Sequence, residues 1–81
     1  MKLFLISQTQ NDDYDTFDSA VVAAEDEDTA RNMSPDGNPV ADWETSYSIW
    51  CNGPEHVSVK YLGEAKDAIE QGVICASFNA G

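Results

Sequence analysis

The residues of this 81-residue chain that could do chemistry are fifteen Asp and Glu, four Lys and Arg, two Cys and one His. Asn11, Asp13 and Asp15 set oxygen ligands at alternate positions, as the opening of a calcium loop does. Such a loop also needs Gly at its sixth position and a bidentate Glu at its twelfth, which here are Thr16 and Val22. The stretch is therefore read as a solvated turn whose short polar side chains cap backbone amides, and no metal is assigned to it. Cys51, His56 and Cys75 fall short of a structural zinc site, which wants four ligands, usually in close pairs. They also make a poor nucleophile and base, because a reactive thiolate needs a cationic or helix N-terminal setting. The formal net charge is −11, which pushes the other way. Both thiols are read as small, semi-buried core residues and His56 as a surface or turn residue. Carboxylate pairs can be picked freely from so many acids, and no glycine spacing approaches a phosphate cradle. The reading is a non-enzyme, with no catalytic residue and no cofactor.

The acids themselves are the remaining feature. Asp12, Asp13, Asp15 and Asp18 form one cluster, and Glu25, Asp26, Glu27 and Asp28 form a second. The two flank one apolar segment, and an eight-residue strand would separate them by roughly 25 Å. A third group, Asp42 and Glu44 with Asp36, surrounds Trp43, an aromatic of the kind that anchors interfaces. These residues are the candidate partner-binding set. Solubility and a helix N-terminus satisfying its dipole explain part of the excess, the Glu25 to Asp28 group above all. A field of this sign repels phosphate backbones and anionic lipid, which argues against direct nucleic-acid or membrane binding. It attracts a basic protein surface. No secretory leader and no apolar run of about 18 residues is seen, so a cytoplasmic location with reduced thiols is expected.

The elements that position these groups follow from hydrophobic period. Lys2 to Gln8 is a nearly continuous apolar run, read as a central strand. Thr9 to Asp15 is a loop, and Phe17 to Ala24 is a second strand, pairing antiparallel with the first. Asp26 is a plain N-cap, with Glu27 and Asp28 in the first turn, and Pro35 ends a helix of about two turns. Ala30 and Met33 would face the sheet. Ser34 to Trp43 is an irregular and mobile excursion. Ser46 to Cys51 alternates at period two and reads as a third strand, with Tyr47 and Ile49 on one face. Trp50 is assigned to the core. Val57 to Leu62 reads as a fourth strand, Lys66 to Gln71 as a helical turn, and Val73 to Phe78 as the last strand. The fold class is a single α+β domain: a small antiparallel or mixed sheet of four to five strands with one short helix packed on it. A chain of this length has a radius of gyration of roughly 12 Å.

Asn11 to Ala24, running through Tyr14-Asp15-Thr16-Phe17-Asp18-Ser19-Ala20-Val21-Val22-Ala23-Ala24, then acids before Ala30-Arg31, resembles a group of short phage-encoded proteins. Tyr61-Leu62-Gly63-Glu64-Ala65 and Gly72 to Gly81 are similar to the same group. The resemblance carries over no catalytic residue. What it implies is an analogy: small acidic phage proteins are often antagonists of host defence, including anti-CRISPR proteins and DNA mimics. The function expected first is therefore inhibition of a host defence or nucleic-acid-binding protein through a negative surface, in the host cytoplasm. The alternatives are a structural or accessory phage protein, homo-oligomeric through an exposed sheet edge, and a protein that sequesters a small ligand between subunits.

Overall fold

A computed structural model describes residues 1–79. Strand β1 (Lys2–Ser7) is followed by β2 (Thr16–Ala24), helix α1 (Glu27–Arg31), helix α2 (Trp43–Ser46), a 3-10 turn (Pro54–His56), β3 (Ser58–Glu64) and β4 (Gly72–Asn79). The strands form one sheet in the order β3-β1-β2-β4. Every neighbouring pair is antiparallel. This is an α+β fold with two short helices. The apolar run at the N-terminus is a central strand and pairs with β2 through a long loop, as expected.

The pleat sorts each strand into two faces. Phe4 and Ile6 of β1 and Ala20, Val22 and Ala24 of β2 are buried on one face, where Ala30, Met33, Trp50, Cys51 and Val57 cover them. Trp50 has no exposed surface. A Trp buries roughly 150–250 Å², so its removal from water is worth about 4–6 kcal/mol at 25 cal/mol per Å². The opposite face mixes a row of small side chains with a row of larger ones. Ser58, Ser7, Ser19 and Ser77 lie in register across all four strands, beside a row of Lys60, Leu5, Val21 and Cys75. The Cα radius of gyration is 11.8 Å.

α1 forms where capping and dipole agree. The Asp26 side chain accepts from the Thr29 N–H at 2.8 Å, and Glu27 pairs with Arg31 at 3.7 Å. The helix is shorter than the two turns expected, yet Ala30 and the following Met33 are buried against the sheet.

Three expectations are corrected. Ser46 to Cys51 is not a strand. Asp42 caps α2, and the chain then continues in turns, with the Ser46 carbonyl accepting from Ile49 N–H at 3.0 Å and Trp50 N–H at 2.7 Å. A half-buried strand cannot bury the adjacent Trp50 and Cys51 together, whereas a turn does. Lys66 to Gln71 is a link, not a helical turn: Ala68 takes φ 73°, a left-handed conformation that stops helix propagation. Seven residues then carry the chain from one sheet edge to the other. Finally, Cys75 is exposed, not in the core, because β4 is an edge strand.

Candidate functional site

The loop from Thr9 to Asp15 is built around two buried amides. Gln8 Nε2 donates to Asn11 O at 2.7 Å and to Phe17 O at 2.9 Å, while Asn11 N–H returns a bond to Gln8 Oε1 at 2.8 Å. Asn11 Nδ2 then reaches Tyr47 O at 2.5 Å and Trp50 O at 3.0 Å. Asn11 is thus a bracket between two loops, turned inward and away from any cation. Its Oδ1 also accepts from Asp13 N–H at 3.3 Å, closing the turn that the sequence suggested.

With Asn11 turned inward, the acids turn out. Asp12, Asp13, Asp15 and Asp18 are all exposed, and Tyr14 between them is 74% exposed. Asp15 sits at φ 63°, a conformation Asp tolerates better than most residues. The far side of this turn is fastened to β4. Asp15 N–H donates to Asn79 O at 2.5 Å, and Asn79 Nδ2 lies 3.3 Å from both Asp12 O and Asp13 O. Phe78 packs edge-on against Phe17, with ring centroids 4.8 Å apart, and stays 47% exposed.

The second cluster follows β2 at its other end. Glu25, Asp26, Glu27 and Asp28 are exposed. Two of them have local uses: Asp26 caps α1 and Glu27 pairs with Arg31. Hydrogen bonding from Thr29, through side chain and backbone, holds the Asp26 carboxyl below its usual value. Asp28 lines a shallow depression with Gln71, the residue just before β4. The third group is more structural. Asp42 accepts from Glu44 N–H at 3.0 Å and Thr45 Oγ1 at 2.9 Å, while Trp43 packs half-buried against the core and Glu44 is exposed. Asp36 and Asp42 also border an open depression of about 430 Å³ floored by Ser46 and Ile49.

The candidate set is therefore divided between the two ends of β2, with Asp42, Trp43 and Glu44 at the start of α2, whose C-cap Tyr47 is bonded to Asn11 in the first loop. Among the described residues Glu27 pairs with Arg31, and Glu55 lies beside His56, a contact that is an ion pair only when the imidazole is protonated. Asp12, Asp13, Asp15, Asp18, Glu25 and Asp28 thus make no ion pair among those residues, although Lys2 pairs with Ala24 beside the second cluster.

Cys51, His56 and Cys75 do not converge. Cys51 is buried, with its thiol donating to Gly53 O at 3.4 Å, and burial pushes the thiol pKa up. His56 precedes β3 and Cys75 lies on β4, the opposite sheet edge, three strand spacings or roughly 14 Å away. Among the described residues no three of His, Cys, Asp and Glu are grouped as metal ligands, and no helix is long and apolar enough to cross a membrane.

Sequence reasoning named an exposed sheet edge but did not say which strand forms it. β3 is guarded: Lys60 and Glu64 are charged and exposed, Leu62 is bulged out of register, and Arg31 Nη1 donates to the Val57 carbonyl. These are the usual devices that blunt an edge strand. β4 runs Gly-Val-Ile-Cys-Ala-Ser-Phe-Asn with no charge, and Ile74, Cys75, Ala76, Ser77 and Phe78 are exposed. The available signal was compositional: Gln71 to Gly81 is the longest uncharged run in a chain of net charge −11.

Compared with known proteins, the chain matches no protein-family model, no curated protein and no solved structure.

Proposed function

We propose that this protein is a non-catalytic binding protein that engages a basic surface of a host protein, as an anti-defence inhibitor of the anti-CRISPR kind does. The observation that carries the reading is the turn at Asp12, Asp13, Asp15 and Asp18. The four carboxylates are exposed and make no ion pair among the described residues, and the turn that carries Asp12, Asp13 and Asp15 is held by buried Asn11 and by Asn79. Holding like charges together is unfavourable, so a rigid outward-facing array is best accounted for by a cationic partner. The phage resemblance supports a defence or nucleic-acid-binding protein of the host as that partner, in the host cytoplasm. The test is affinity capture from host lysate at low and high salt, followed by charge reversal at the four aspartates. A partner retained only at low salt, with an association rate that drops on charge reversal, is the expected result. Capture indifferent to salt and to those substitutions refutes the reading.

The uncharged β4 edge favours a second reading, a homo-oligomeric accessory protein joined edge to edge. Sedimentation at micromolar concentration separates the two.

A further inference from the structure

The β4 edge and the acids at its ends compose one surface. β4 pairs with β2 in regular register from Cys75 to Ser77 and again at Phe78 and Asn79, with a bulge on each strand: Ile74 is extra on β4, and Asp18 is extra on β2 between the partners of Ser77 and Phe78. β4 pairs with β2 alone among the described strands, so its outer row of N–H and C=O groups is open. Exposed Phe78 and Ala76 alternate with exposed Cys75 and Ser77 along it. At the Asn79 end stand Asp12, Asp13 and Asp15, tied to Asn79 by hydrogen bonds. At the Gly72 end stand Asp28, which shares a depression with Gln71, and exposed Glu70.

We propose that β4 takes up an extended segment of the basic partner as a fifth strand, with Lys or Arg at both ends of that segment. This rests on the reading of a cationic partner and specifies how it is recognised. Backbone pairing supplies the affinity, alternate apolar side chains lie against Phe78 and Ala76, and the flanking cations reach the acids at either end. Eight residues of strand span roughly 25 Å, which sets a spacing of about six to eight residues between the two basic positions. A second copy of this chain fits the same edge poorly. Antiparallel pairing of two β4 strands brings Asp12, Asp13 and Asp15 of one copy beside Asp28 and Glu70 of the other, at both ends. The like charges then oppose the contact.

The probe is a labelled synthetic peptide with Lys and Arg at both ends and an alternating Thr-Val centre. It is compared with the same sequence N-methylated at alternate amides and with oligolysine of equal charge. Binding is followed by fluorescence anisotropy, and amide hydrogen exchange of the full-length protein is followed by NMR. The expected result is slowed exchange at alternate residues between Cys75 and Asn79. N-methylation should weaken affinity at least about tenfold, since several backbone bonds are lost. The triple substitution Asp12→Asn, Asp13→Asn, Asp15→Asn should also weaken it, with the salt dependence reduced. If the methylated peptide and oligolysine bind equally well and β4 exchange is unchanged, strand addition is wrong while charge recognition stands. If no basic probe binds at low salt, both readings fail. Protection of β4 without peptide, growing with protein concentration and with salt, makes the occupant a second copy and overturns the proposal.

Discussion

The backbone N–H of Asp15 donates to the carbonyl oxygen of Asn79 at 2.5 Å, so an acidic turn near the start of the chain is fastened to its last described residue. Asn79 doubles the attachment, with Nδ2 at 3.3 Å from Asp12 O and Asp13 O. Charge and edge are thereby one rigid unit, and loosening one should change the other without unfolding the domain.

Asn79→Ala tests that coupling. The exposed side-chain bonds it removes are worth about 1 kcal/mol in total, so the melting temperature should fall by only a few degrees. Amide exchange across Asp12 to Asp15 should accelerate well beyond that modest loss of global stability. Exchange that quickens only in proportion to global stability would show that the turn holds itself.

Asn11 is the residue whose loss should be most damaging among the polar ones. It is 5% exposed and donates to two carbonyls, Tyr47 O and Trp50 O, so Asn11→Ala leaves buried acceptors without a donor. The expected cost is about 2–3 kcal/mol, measured by urea denaturation, against a total of roughly 4–12 kcal/mol for a chain this size. Asn11→Asp should be worse at neutral pH, because it aims a carboxylate at the same two carbonyls. It should recover in mild acid, where the protonated group donates again. An Asp variant as stable as wild type at pH 7 would contradict the bracket.

Much of the frame was legible because local signals and tertiary packing agreed. Leu3 to Ile6 is an unbroken apolar run, Asp26 caps a helix with acids in its first turn, and Val57 and Val59 alternate, so β1, α1 and β3 could be read directly. Ser46 to Cys51 was misread since period two is also what a tight turn produces when every second side chain is small. The bonds that decide it, Asp42 to Glu44 and Ser46 to Trp50, depend on backbone geometry. The acidic clusters were visible as composition. Their separation to opposite ends of β2 was legible too, since they flank that strand in sequence, whereas the exposure of β4 is a consequence of strand order, which no local pattern encodes.

The two thiols should behave as opposites. Cys75 is exposed on β4, whereas Cys51 is buried with its thiol pKa raised by desolvation. Titration with an aromatic disulfide reagent should consume one thiol rapidly in the native protein and the second only on denaturation. Cys75→Ser should abolish the fast phase and leave the fold intact, whereas two fast thiols would place Cys51 at the surface.

Acid titration separates the Asp26 carboxyl, which caps α1, from the exposed acids that make no contact of their own. Hydrogen bonding by Thr29 lowers the folded pKa of Asp26 below the ordinary value of 3.8, so its contribution is present above 3.8 and is lost as pH falls through the lower folded value. Asp26→Asn keeps a capping oxygen and removes that charge, which the helix N-terminus favours. Wild type should therefore melt higher than Asp26→Asn near pH 7, and the gap should close below 3.8. The remaining exposed acids act in the opposite sense. Their mutual repulsion is screened by salt, so roughly 0.15 M salt, which shortens the screening length to about 8 Å, should raise the stability of both proteins at neutral pH. A gap between the two proteins that persists undiminished into strong acid would mean that the Asp26 charge has no part in holding α1.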